Sequence, residues 1–140
     1  MTKVKDVFTV KLPFPDISSN LATKAHMYLC IQAGENKKIL SCQTKKPLLL
    51  RNDRPPYRYV DCKADIKKNP FKRDTIIACD YCFELKGIHV DSSLLTSSRR
   101  DVCSEMYYEV MQKISFSNFG SKVLEEGVLL ALNPLLSKIN

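Results

Sequence analysis

Three groups of residues in this chain have the types and spacing to do chemistry. His26 stands alone where the polar stretch "PDISSNLATKA" gives way to the apolar run "HMYLCIQ". Histidine ordinarily titrates near pH 6.5 and is the side chain best suited to moving protons near neutrality. The plain alternative is a structural histidine that hydrogen-bonds locally at a strand end. Arg51, Arg54 and Arg58 are interleaved with Tyr57 and Tyr59, and Lys45 and Lys46 open the same loop. Cations that meet phosphates beside rings that stack on bases are the mixture that grips single-stranded RNA. Their bland counterpart is an exposed loop that Pro55 and Pro56 keep extended. Cys79 and Cys82 form a C-x-x-C pair in "CDYC". A zinc site needs four ligands. There is no second such pair, His89 is the only nearby histidine, and two strand cysteines at this spacing point to opposite faces. No βαβ pattern surrounds them, as a thioredoxin-like site requires, so neither a metal nor any other cofactor is expected. Asp80 and Glu84 share the face of Cys82, as groove carboxylates or as exposed strand residues.

The elements that must position these groups are strands first and helices last. "DVFTVKL" alternates with the period of a half-buried strand. "HMYLCIQ" and "KKILSCQT" flank "AGEN", whose Gly34 and Asn36 supply turn chemistry, and predict a hairpin. "YRYVDC" is a further short strand, and "RDTIIACDYCFEL" reads as one long central strand. Pro47, Pro55, Pro56 and Pro70 mark the loops between them. After Gly87 the period becomes helical. Ser98 and Asp101 resemble a capping box, followed by an apolar face of Val102, Met106, Val110 and Ile114, with Cys103 and Tyr107 beside it. A second helical run carries Val123, Leu124, Val128, Leu132 and Leu136, weakened by Gly127 and Pro134. The prediction is a small antiparallel sheet of about five strands followed by helix, an α+β fold.

Composition sets the partners. The 140 residues suit one domain with one core, and 22 Lys and Arg against 15 Asp and Glu leave a net charge of +7, which favours an anionic partner such as nucleic acid. No run approaches the ~20 apolar residues of a membrane span, and the alternating start "MTKVKDVFTV" lacks the apolar core of a signal peptide. Cysteines inside apolar runs read as small buried hydrophobes, which points to a reducing cytoplasm.

In order and spacing the motifs resemble the MazF/PemK family of toxins, the endoribonucleases of toxin–antitoxin modules. Asp6-Val7 opens the first strand, "LPFPDISSN" fills a loop, "HMYLCIQ" is the apolar strand, "ILSCQT" ends in Thr44, "FKRDTIIACDY" resembles a late strand, and "FELKGIHVDSSLL" precedes the helix. The resemblance covers roughly residues 4 to 114. It implies an SH3-like antiparallel barrel with C-terminal helices, residues 1–117 forming the barrel and its helix and 118–140 an added helical segment of the same domain. Where the family has an Arg-Pro pair, this chain has His26 and Met27.

The resemblance implies sequence-specific, metal-free cleavage of single-stranded RNA by the neighbouring ribose 2′-hydroxyl, in a cytoplasmic homodimer restrained by an antitoxin peptide or another protein. Such cleavage needs a proton acceptor, charge stabilisation at the phosphate and a proton donor for the leaving oxygen. Carried onto this chain, His26 becomes the general acid or base, Lys24 the cation for the phosphate and Thr44 a hydrogen-bond donor. RNA binding falls to Lys45, Lys46, Arg51, Arg54, Tyr57 and Arg58. The alternative is a barrel that lost catalysis with its Arg-Pro pair and binds nucleic acid or protein as a regulatory module.

Overall fold

A computed structural model of the protein describes residues 2–46 and 55–139. Arg51 and Arg54 lie outside the described residues. Alternation yields β1 (Val7–Val10), and the hairpin forms as its turn residues require, between β2 (His26–Gln32) and β3 (Asn36–Thr44). Gly34 takes φ +100 in the turn, a conformation that favours glycine. A one-turn helix, α1 (Asn20–Thr23), closes the loop before β2, and β4 (Tyr59–Cys62) forms in "YRYVDC".

β3 is the spine. β2 pairs along one side of it, with β1 beyond, all antiparallel. On its other side the "RDTIIACDYCFEL" run forms two strands rather than one, β5 (Thr75–Ala78) and β6 (Tyr81–Lys86). β5 pairs the C-terminal part of β3 (Thr44 opposite Thr75) and carries β4 on its outer edge, while β6 pairs the N-terminal part (Ile39 opposite Phe83). Between Ile39↔Phe83 and Cys42↔Ile77 the register slips by three residues. Residues 78–82 therefore have no partner on β3 and form a bulge, which hydrogen bonds hold: Cys79 N donates to Arg58 O at 2.8 Å, and the Asp80 carboxylate accepts from Tyr57 N and Arg58 N.

The chain after Gly87 departs most from a helical reading. β7 (Ile88–Val90) comes first, and residues 95–102 then run extended along the outer edge of β1: Thr96 N donates to Val7 O, Val7 N to Arg100 O and Val102 N to Lys5 O. Edge N–H and C=O groups need partners, and this segment supplies them, so Ser98 and Asp101 do not cap a helix. Helix α2 starts later (Ser104–Ile114), with Cys103 at its N-cap making no side-chain cap bond. The second expected helix resolves into β8 (Gly120–Val123), α3 (Glu126–Leu132) and β9 (Leu136–Lys138). β8 lies parallel on β6, and β9 pairs β7 in a second, two-stranded sheet. Gly127 falls in the first turn of α3, where its N–H and that of Val128 donate to the Glu125 carboxylate. Pro134 follows the helix end, where it breaks the run as expected.

The fold is α+β, mostly antiparallel, with seven strands in the main sheet rather than about five. Among the described residues its pairing ends at β1, β4 and β8 without closing into a barrel. The main sheet is covered on both faces. On one, Leu29, Leu40, Cys42, Ile77 and Val60 pack against α2 through Val110, Met106, Tyr107 and Ile114. On the other, Phe8, Val10, Tyr28, Ile39 and Phe83 pack with β7, Leu129 and Leu136. The tail thus completes a core. Val123 of the expected stripe stays 57% exposed, on strand β8 rather than on a helix. All six cysteines are free thiols, five of them buried. No helix is long and apolar enough to cross a membrane among the described residues.

Candidate functional site

The hairpin sets where its two end residues meet. β2 begins at His26 and β3 ends at Thr44, so both stand at the same end of the sheet. By register, Met27 opposes Cys42, which puts Thr44 on the Met27 face and His26 on the other. At a sheet end the two faces meet, and His26 and Thr44 line one open groove of about 410 Å3 with Lys46, Thr9 and Gln43.

A second groove of about 440 Å3 continues it, sharing Thr9, Met27 and Thr44 and running on to Lys72, Arg73, Ser97 and Ser98. The loop carrying Lys72 and Arg73 is built on Asn69, which is fully buried: its amide nitrogen donates to Lys63 O at 2.9 Å and its oxygen accepts from Phe71 N at 3.1 Å. At the far rim, Arg99 holds the start of that loop by donating to Lys67 O and to the Asp101 carboxylate. Among the described residues, those lining the two grooves include three cations, a histidine and several hydroxyls, and no carboxylate. A polyanion laid along this path meets cations and hydroxyls interspersed with apolar side chains such as Met27 and Leu94.

His26 is half-buried, and its Nε2 lies 3.2 Å from the carbonyl oxygen of Asn20 in α1. A carbonyl only accepts, so this contact makes Nε2 the donor and leaves Nδ1 facing away from Asn20 as the ring's other polar atom. The ring is thereby oriented by backbone, the arrangement a general acid or base needs. The same bond also accounts for a structural histidine.

The other expected residues divide. Thr44 and Lys46 stand with His26. Lys24 is exposed in the turn after α1 and lies outside β2, so strand alternation does not bring it to the face of His26. The Lys45 ammonium is 2.8 Å from the Asp61 carboxylate, which holds its pKa above the usual lysine range. Arg58 stacks over the Phe116 ring at 4.4 Å and donates from Nε to Lys113 O at the end of α2. Tyr57 is 63% exposed and is the expected stacking residue that remains open to a base. Thr9, Gln43, Lys72 and Arg73 were not singled out. "NPFKRD" reads as a cationic loop, but nothing local in it says that its cations share a groove with Thr44.

Among the described residues no group of three or more His, Cys, Asp or Glu side chains is placed to hold a metal ion. Cys79 is buried and its thiol donates to Ile77 O. Burial pushes the Cys79 thiol up to about 12 and raises that of Cys82, the opposite of a metal-binding or redox-active pair. Compared with protein-family models and with curated proteins, the chain matches none.

Proposed function

We propose that the protein binds single-stranded RNA along the groove at the end of the sheet and cleaves it through the ribose 2′-hydroxyl, with His26 moving the proton. The observation that carries this reading is a groove whose lining, among the described residues, joins His26 and Thr44 to Lys46, Lys72 and Arg73 without a carboxylate. A phosphate seated at Thr44 receives a hydrogen bond from its hydroxyl, and the cations on either side hold the neighbouring phosphates. Lys46 takes the role that the resemblance gave to Lys24.

In this reading the sheet is an opened, elaborated relative of the SH3-like barrel of MazF/PemK toxins, and the protein is a cytoplasmic toxin-like ribonuclease that works as a homodimer under an antitoxin peptide. The test is cleavage of a long single-stranded RNA by the purified protein in EDTA, with products ending in 2′,3′-cyclic phosphate and 5′-hydroxyl. A second reading is favoured by the Asn20 bond to His26, which explains that residue structurally: a groove that binds RNA without cutting it. Salt-sensitive RNA binding with no cleavage selects it.

A further inference from the structure

The three-residue slip in register where β5 gives way to β6 leaves a gap in the ladder beside Ser41 of β3. A pocket of about 120 Å3 opens there, roughly ten times the space that one buried water needs. Tyr81 and Phe83 form an edge-to-face pair in its wall, centroids 5.5 Å apart at 82°, and Pro56 closes the outer side. Gln43 and Leu21 line both this pocket and the groove of His26, so the two are continuous.

The polar groups are few and fixed. The Asp80 carboxylate is pinned by Tyr57 N at 2.9 Å and Arg58 N at 2.7 Å. A carboxylate offers about four lone-pair sites, so it retains acceptor capacity toward a ligand. Gln43 brings an amide that both donates and accepts, and its nitrogen is 3.4 Å from Ser41 Oγ. Behind them, Tyr28 is fully buried, and its hydroxyl is the one buried side-chain polar atom without a partner among the described residues. Its register partner Ser41 and its ring partner Phe83, 6.1 Å away, both line the pocket.

We propose that this pocket receives one base of the RNA strand in the groove, and that Asp80 and Gln43 read its hydrogen-bonding edge, favouring guanine over uracil. The proposal rests on the RNA-binding reading above. Aromatic walls suit any base. The carboxylate selects among them, because guanine presents two adjacent N–H donors to an acceptor pair, whereas uracil presents one N–H between two carbonyls. Asp80 and Gln43 are half-buried, and a base that covers them without pairing them takes away their hydrogen bonds to water and returns none.

The test uses hexanucleotides of uridine carrying guanosine, inosine or uridine at one central position, with fluorescence anisotropy at several salt concentrations. The guanosine strand is expected to bind about ten- to a hundredfold more tightly than the all-uridine strand, with inosine, which lacks the amino group, between them. All three share one salt slope. Asp80→Asn and Gln43→Ala each bring the guanosine-to-uridine ratio close to one, and where one variant melts abnormally the other decides. Equal affinities with a steep salt slope overturn the base pocket and leave the groove reading standing. That is also the outcome when the pocket serves a side chain of a protein partner. A guanosine preference that survives in both folded variants places the reading elsewhere, and no binding by any strand removes both proposals.

Discussion

At the scale of single residues, histidine and arginine divide the work of RNA cleavage differently. Arginine is a permanent cation with a fixed fork of donors. Histidine exchanges protons near neutrality but carries its charge only part of the time. In the proposed reaction His26, its Nε2 held against the Asn20 carbonyl, transfers the proton, and Lys46, Lys72 and Arg73 supply the standing charge. If the protein cleaves RNA as proposed, His26→Ala is expected to lower the rate by about 10²–10⁴-fold while the melting temperature holds. His26→Arg restores a cation but removes the group able to give and take a proton, so cleavage is expected to stay well below the native rate. Wild-type rates in folded His26→Ala would end the catalytic assignment. The places of His26 and Thr44 at strand ends were legible, because strand ends can be read from turn chemistry and alternation. Arg58 was not, because its partners, Lys113 O and the Phe116 ring, lie more than fifty residues away, and a cation beside a tyrosine reads the same in sequence whether it is free or spent.

Elements show the same split between local and distant causes. β1 to β4 were legible from period and turn residues, and the apolar face of α2 from its i, i+4 spacing. The bulge between β5 and β6 was not, since it is imposed by the length of β3, which takes both strands along one edge. Nor was the tail. Val128, Leu132 and Leu136 have helical spacing, yet their segment is divided by what it must cover and pair with. Asn133 shows why it stays in place: its side-chain oxygen accepts from Lys11 N at 2.8 Å, and its nitrogen donates to Lys11 O at 2.7 Å and to Leu129 O at 2.8 Å. One amide thus continues the edge of the chain past β1 and closes the end of α3. Asn133→Ala leaves buried groups unpaired at about 1–3 kcal/mol each, so chemical denaturation should show a loss of roughly 2 kcal/mol or more. A loss below half a kcal/mol would mean that the tail is held by Leu129 and Leu136 alone.

Taken whole, the molecule combines a thiol-rich core with a cationic rim, and both leave marks in solution. Burial pushes the thiols above the usual 9.0, Cys30 to about 11 and Cys62 and Cys79 to about 12, with Cys42 and Cys82 also raised. The folded state therefore holds protons that the unfolded chain releases above pH 9, and stability present below that pH is lost as pH climbs toward 12, by about 1.4 kcal/mol per unit for each thiol. Lys37, buried and donating from Nζ to Gly34 O and Ile88 O, has its pKa lowered by burial and opposes the trend as a single group. Thermal melts should be level from pH 7 to about 8.5 and fall beyond 9; a level profile to pH 10.5 would contradict this account. The rim bears on the proposed RNA binding. Lys46, Lys72 and Arg73 line a path in which Thr44 lies between the first and the other two, while Lys45 is paired with Asp61. For single strands each phosphate contact contributes about 0.7 to the slope of log affinity against log salt. Replacing Lys46, Lys72 and Arg73 together with Ala should flatten that slope by about two units, whereas replacing Lys45 alone should change it little. The comparison discriminates because both variants lower the net charge. A slope that tracks charge removed rather than position would make the +7 of the chain a diffuse attraction, and would take the groove at the end of the sheet out of RNA recognition.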